Sequence, residues 1–205
     1  MKKYNTNKNG GFTIIEAMIA IFILSVSVAS MLGVNATSAS FARYANNELT
    51  ANYLAQEAVD SIRNSRDTIA FQQKENDDTT GIAWKKFLDR YGYKNGTGSD
   101  RCFSSNGCYL KMENFDPKDS NYNNGNDVVE CPSGVCPLLK YDSKPLDPSV
   151  IYKSTGNSDS IFSRKVTMVM IKDYEVKIVV QVDWDNGNGS MKSRSLEMYL
   201  LNWMN

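Results

Sequence analysis

Glu16 is the only charged side chain between Gly10 and Ala42, and it stands inside the apolar run GGFTIIEAMIAIFIL. A carboxylate surrounded by hydrocarbon costs several kcal/mol unless it is neutralised or paired, so an acid kept there implies a cation for it to meet. Two other groups of residues could do chemistry. Cys102, Cys108, Cys131 and Cys136 could form disulfides or a thiolate metal site. In DSNYNNGNDVVE, the side chains of Asp119, Asn121, Asn123, Asp127 and Glu130 fall at positions 1, 3, 5, 9 and 12 of a calcium-loop pattern. That pattern is imperfect, because Asn124 replaces the turn glycine and Gly125 follows one place later. A plain polar loop explains the same residues. DWDNGNG, from Asp183, is a poorer cation candidate, since hairpin-turn chemistry already accounts for its composition. The chain has no histidine, which excludes Ser/His/Asp and Cys/His catalysis and every histidine-ligated metal. Nothing in the sequence points to acid-pair catalysis, and we expect no enzyme activity and no cofactor beyond the calcium candidate.

The element that carries Glu16 must be a helix in lipid. Ala17 to Val34 is apolar except for Ser25, Ser27, Ser30 and Gly33, and roughly 20 such residues suffice to span a bilayer. Lys2, Lys3 and Lys8 precede the run with no acid among them, so the arm should stay cytoplasmic and the remainder be exported. Without those three lysines, the 23 basic side chains fall to 20 against 23 acidic ones. A general electrostatic grip on nucleic acid is therefore not supported. Lys85, Lys86 and Arg90 form a local basic group that on a helix reads as a solvated face.

An ordinary secretory signal places its small-residue cleavage site after the apolar core. Here Gly10 and Gly11 come before it, so a cut after Gly11 removes only the basic arm and keeps the helix. Gly11, then Phe12, then Glu16 at the fifth position of the remaining chain, then the unbroken apolar stretch, resembles the class III signal of type IV prepilins and pseudopilins. The resemblance covers Lys8 to about Asp67. It implies that a prepilin peptidase cuts between Gly11 and Phe12 and methylates the new amino group of Phe12. It also implies that the ammonium is the partner of Glu16, on the same chain or a neighbour, and sets the register of packed subunits. The implied partners are other pilin subunits through the N-terminal helix, the peptidase, an inner-membrane assembly platform, and membrane lipid before assembly. One departure stands out: many pilins bend this helix at a proline, whereas here Gly33 lies near that place and the first proline is Pro117. Glycine permits local melting without forcing a kink.

The rest of the chain must supply a head. Ala51, Leu54, Ala55, Ala58, Val59 and Ile62 share one helical face, which predicts that a single helix continues to about Arg66. Two helices broken near residues 33–40 are the alternative. Trp84, Phe87, Leu88 and Tyr91 predict a short amphipathic helix ending near Gly92, with the aromatics in the core. Residues 94–159, rich in Asn, Ser, Gly, Asp and Pro, read as a long cross-linked surface loop region. Three antiparallel strands follow over 161–203: Phe162 to Met170, Tyr174 to Trp184, and Leu196 to Leu200, with Arg164 breaking the first row. Lys172 and Asp173 make a tight connection, and DNGNG, from Asp185 to Gly189, makes a hairpin turn.

In an exported head, disulfides are the default for four cysteines. Of the three connectivities, Cys102 with Cys108 and Cys131 with Cys136 each close a small loop around turn residues. Each stabilises by roughly 2 to 3 kcal/mol on a chain-entropy estimate. A four-thiolate zinc site is the rival, with spacings at or beyond the usual knuckle. The expected fold is α+β and pilin-like, a long N-terminal helix packed on a C-terminal antiparallel sheet. The expected parts are a leader at 1–11, a membrane and assembly helix at 12–42, its amphipathic continuation at 43–70, and a head at 71–205. The resemblance implies a filament subunit, similar to minor pilins of the PilV type, membrane-anchored before assembly and on the cell surface afterwards. A secretion or competence pseudopilin is the nearest alternative, and a signal-anchored extracellular enzyme or receptor domain is the more distant one.

Overall fold

The computed structural model describes residues 11–75, 81–94, 97–98, 100–112, 127–142, 152–187 and 189–203. The chain divides into two units, Met1–Asn46 and Asn47–Asn205. Helix α1 (Ile14–Glu75) supplies the main element of the first and one layer of the second. It is unbroken at Gly33, where an added Cβ would meet nothing within 4 Å.

In the first unit the helix is long and apolar enough to cross a membrane, and its large apolar side chains are exposed. Four of its hydroxyls are closed onto its own backbone. Ser25 Oγ donates to the Ile21 carbonyl at 2.7 Å, Ser27 Oγ to Ile23 at 2.8 Å, and Ser30 Oγ to Ser27 at 2.8 Å. Thr37 Oγ1 reaches the Val34 carbonyl at 2.9 Å. In hydrocarbon each free hydroxyl would be costly, and this local back-bonding leaves these four satisfied without a partner helix.

The second unit is a two-layer head. From residue 47 onward α1 buries Ala51, Leu54, Ala55, Ala58, Val59, Ile62, Ile69 and Ala70, the face that its periodicity marks. The helix ends at Glu75, beyond the expected Arg66, because Ile69 and Ala70 extend the buried stripe. Helix α2 (Ile82–Tyr91) buries Trp84, Phe87, Leu88 and Tyr91 and stops at Gly92, whose φ of 102° suits glycine at a helix end.

A short pair, β1 (Tyr93–Lys94) and β2 (Thr97–Gly98), follows α2. The main sheet contains β3 (Cys108–Leu110), β4 (Val128–Glu130), β5 (Leu138–Tyr141), β6 (Ser158–Lys172), β7 (Glu175–Asp185) and β8 (Met191–Leu201). Its order is β4-β3-β6-β7-β8, with β5 also pairing β6. Strand β6 is thus shared: β5 pairs its start at Ser158 to Ser163, and β3 pairs it at Val166. On the inner face lie Phe162, Val166 and Met168 of β6, Val176 to Trp184 of β7 at every second residue, and Leu200 of β8.

Three expectations change. Residues 94–159 are not wholly surface loop: they add strands to the sheet, and all four cysteines are buried there. Strands of three or four residues, separated by long polar inserts, are too short to show an alternating pattern. The tight hairpin turn is Asp173–Tyr174, one residue later than Lys172–Asp173, because Lys172 pairs with Glu175 and a bulge precedes it. That shift leaves Tyr174 exposed instead of in the inner row. Arg164, read as breaking the first row, stays within it: it is 1 % exposed on the inner face. There its Nη1 donates to Glu57 Oε2 at 2.7 Å and to the Leu54 carbonyl at 2.9 Å, so helix and sheet share one buried cation.

Candidate functional site

The residues around Glu16 form a small, exposed structure at the start of α1. Gly11, Phe12 and Thr13 are not helical, and the helix begins at Ile14. Thr13 occupies the capping position. Its carbonyl accepts from the N–H groups of Glu16 at 3.1 Å and Ala17 at 3.2 Å, and its Oγ1 accepts from Glu16 N–H at 3.4 Å. Glu16 therefore sits three residues after a threonine cap, the Thr-x-x-Glu spacing of a capping box, in the first turn, where the helix macrodipole favours a negative charge. The capping role of Thr13 is not among the expectations from sequence, although the Thr-x-x-Glu spacing signals it.

Gly11 has nothing within 4 Å of an added Cβ. Phe12, 74 % exposed, also has no core to enter. No packing within the described chain requires glycine followed by an aromatic at this point.

The cysteine region is the second constrained place. The disulfides are Cys102–Cys108 and Cys131–Cys136, and no described cysteine is free. They lie side by side: Cys131 N–H donates to the Gly107 carbonyl at 2.9 Å, and Cys108 is registered opposite Glu130. The Cys131–Cys136 loop is tied to β6 by Ser163 Oγ, which donates to the Cys136 carbonyl at 3.0 Å.

Of the calcium candidates, Asp119, Asn121 and Asn123 lie outside the described residues. Asp127 pairs with the buried Arg90. Glu130 accepts from Ser104 Oγ at 2.7 Å and from Asn106 Nδ2 at 2.8 Å, and these two bonds hold its carboxyl below the usual range. Asp127 and Glu130 are thus committed to different partners, Arg90 for the one and Ser104 with Asn106 for the other. Among the described residues no three potential metal-ligating side chains come together. The basic group is also dispersed: Arg90 is buried against Asp127, so it shares no exposed face with Lys85. Burial pushes the neighbouring Tyr91 phenol up to about 12.

With the geometry of the N-terminal segment in view, comparison with known families is decisive for that segment: residues 6–32 match the prokaryotic N-terminal methylation motif. This is the class III signal of type IV pilin-like proteins. The class III signal contains Gly11, Phe12, Thr13 and Glu16 together with most of the apolar run. Comparisons with curated proteins and with solved structures found no match. The signal and the apolar helix behind it suit membrane anchoring, and the α+β layout of the head is consistent with a pilin-like fold.

Proposed function

We propose that the chain is the precursor of a pilin-like filament subunit, a structural protein whose work is assembly and display. The observation that carries this reading is the class III signal on an exposed, non-helical Gly11–Phe12 bond two residues before a capped helix. Because no packing among the described residues uses that glycine, the reading assigns it to recognition by a second protein, a prepilin peptidase. Hydrolysis of the Gly11–Phe12 amide releases the basic arm and leaves an ammonium on Phe12, which the same enzyme methylates.

That ammonium supplies the cation that Glu16 otherwise lacks in hydrocarbon. Met by the Glu16 carboxylate of its own or a neighbouring subunit, it offsets a burial cost of several kcal/mol and fixes the axial register of packed helices. Before assembly the subunit is held in the cytoplasmic membrane by the α1 span, with its N-terminus inside and its head outside. Afterwards the helix packs against other subunits on an inner-membrane platform, and the disulfide-linked head faces the exterior. A minor-subunit role in adhesion, motility or uptake follows from the same reading.

The test is co-expression of the full chain with a prepilin peptidase and assembly machinery. Gly11→Val should abolish the mobility shift of processing. Glu16→Gln should leave that shift intact but abolish recovery of the subunit in sheared filaments. Incorporation of Glu16→Gln at the native level would contradict the register role.

A further inference from the structure

The turn after β7 holds an asparagine next to a glycine, an arrangement in which the backbone can attack its own side chain. Gly187 has a φ of 91°, and its N–H donates to Asp185 Oδ1 at 2.9 Å. Asp185 and Gly187 are exposed. Among the described residues the Asn186 carboxamide has no hydrogen-bond partner. Asn106–Gly107 is the contrasting case of the same dipeptide. There Asn106 Nδ2 is held by Glu130 at 2.8 Å, the Gly107 N–H donates to the Ser104 carbonyl at 3.0 Å, and Gly107 is buried against β6.

We infer that Asn186 is a self-modification site, converted to aspartate and isoaspartate with the Asp185 carboxylate as general base. Gly187 N attacks Asn186 Cγ and forms the ring C–N bond. The amide proton passes to Asp185 Oδ1 and on to the departing nitrogen as Cγ–Nδ2 breaks, releasing ammonia. Water then opens the cyclic imide at either carbonyl, so the net change is asparagine plus water to an acid plus ammonia. A carboxylate within hydrogen-bond reach of the proton that must leave meets the geometric condition for general-base catalysis. Glycine leaves the attacking nitrogen unhindered. Each event adds one negative charge next to Asp185.

The full-length protein is incubated in detergent micelles at neutral pH and mapped peptide by peptide by mass spectrometry, with isoaspartate detection. Conversion at Asn186 should outpace that at Asn106 by roughly a hundredfold or more, the low side of what a positioned base contributes. Asp185→Asn keeps an oxygen acceptor for the Gly187 N–H but no base, and it should slow conversion at Asn186 while leaving Asn106 unchanged. Equal rates at the two asparagines would overturn the inference, since unfolding would then govern both. An unchanged rate in Asp185→Asn, or a faster one in Asp185→Ala, would also overturn it, because the hydrogen bond would then be inert or protective.

Discussion

The ion pair between Arg164 and Glu57 predicts an asymmetry that separates a buried charge from a useful contact. Arg164 is 1 % exposed and Glu57 38 % exposed, so their desolvation costs differ greatly. Among the described residues, removing Glu57 strands the guanidinium inside the head with only the Leu54 carbonyl at Nη1, and its Nη2 already has no partner there. Breaking a buried pair in this way costs about 3 to 5 kcal/mol. The lower end applies, since the partly hydrated Glu57 delivers a screened interaction. Removing Arg164 instead lets Glu57 return to water and fills the site with apolar volume, so Arg164→Met should cost at most about 1 kcal/mol. The assay is urea unfolding of the oxidised full chain in micelles, followed by fluorescence of the buried Trp84 and Trp184. Glu57→Ala should lower the midpoint strongly, Arg164→Met should leave it near the native value, and the double variant should recover most of the loss. If Arg164→Met proves the more damaging single change, the cation is stabilising the helix–sheet layer and the desolvation reasoning fails.

Three further outcomes follow from the head. Tyr91 is raised from 10.0 to about 12 by burial, so its contribution to stability is full below pH 10 and lost as pH rises through the folded value. The loss amounts to ~3 kcal/mol, and Tyr91→Phe should flatten that part of an alkaline unfolding series. Paired Cys131→Ser and Cys136→Ser changes should lower unfolding stability by roughly 2 to 3 kcal/mol, whereas an unaltered melting curve would contradict a constraining role. At Gly92 an added methyl would run into the Asp100 carbonyl, and φ is 102°. Gly92→Ala should therefore cost about 1 to 3 kcal/mol in the same urea series.

The parts of this fold written in long repeats could be read directly. The uncharged stretch of α1, the stripe from Ala51 to Ile62 and the alternation from Val176 to Trp184 each repeat a local rule many times, so tertiary context has little room to override them. Strands β3, β4 and β5 could not be read, because three or four residues hold at most two turns of an alternation. Their place is set by pairing with β6 and by two disulfides. Arg164 looked like an interruption because a charge on an inner row makes sense only once Glu57 and the Leu54 carbonyl are opposite it, 107 and 110 residues away in sequence. At the N-terminus the signal motif was legible from the types and spacing of Gly11, Phe12 and Glu16, whereas their roles belong to the proposed function. Thr13 is harder to read, because Glu16 stands out as a membrane charge before it stands out as the residue three places beyond a helix cap.

The central claim is that the Gly11–Phe12 bond is cut and that the exposed amine becomes the partner of Glu16. Intact mass and N-terminal sequencing of the protein taken from its native membrane test it most directly. The predicted result is a chain beginning at N-methylated Phe12. A chain that retains the lysine arm, or one that starts at any other residue, would contradict it.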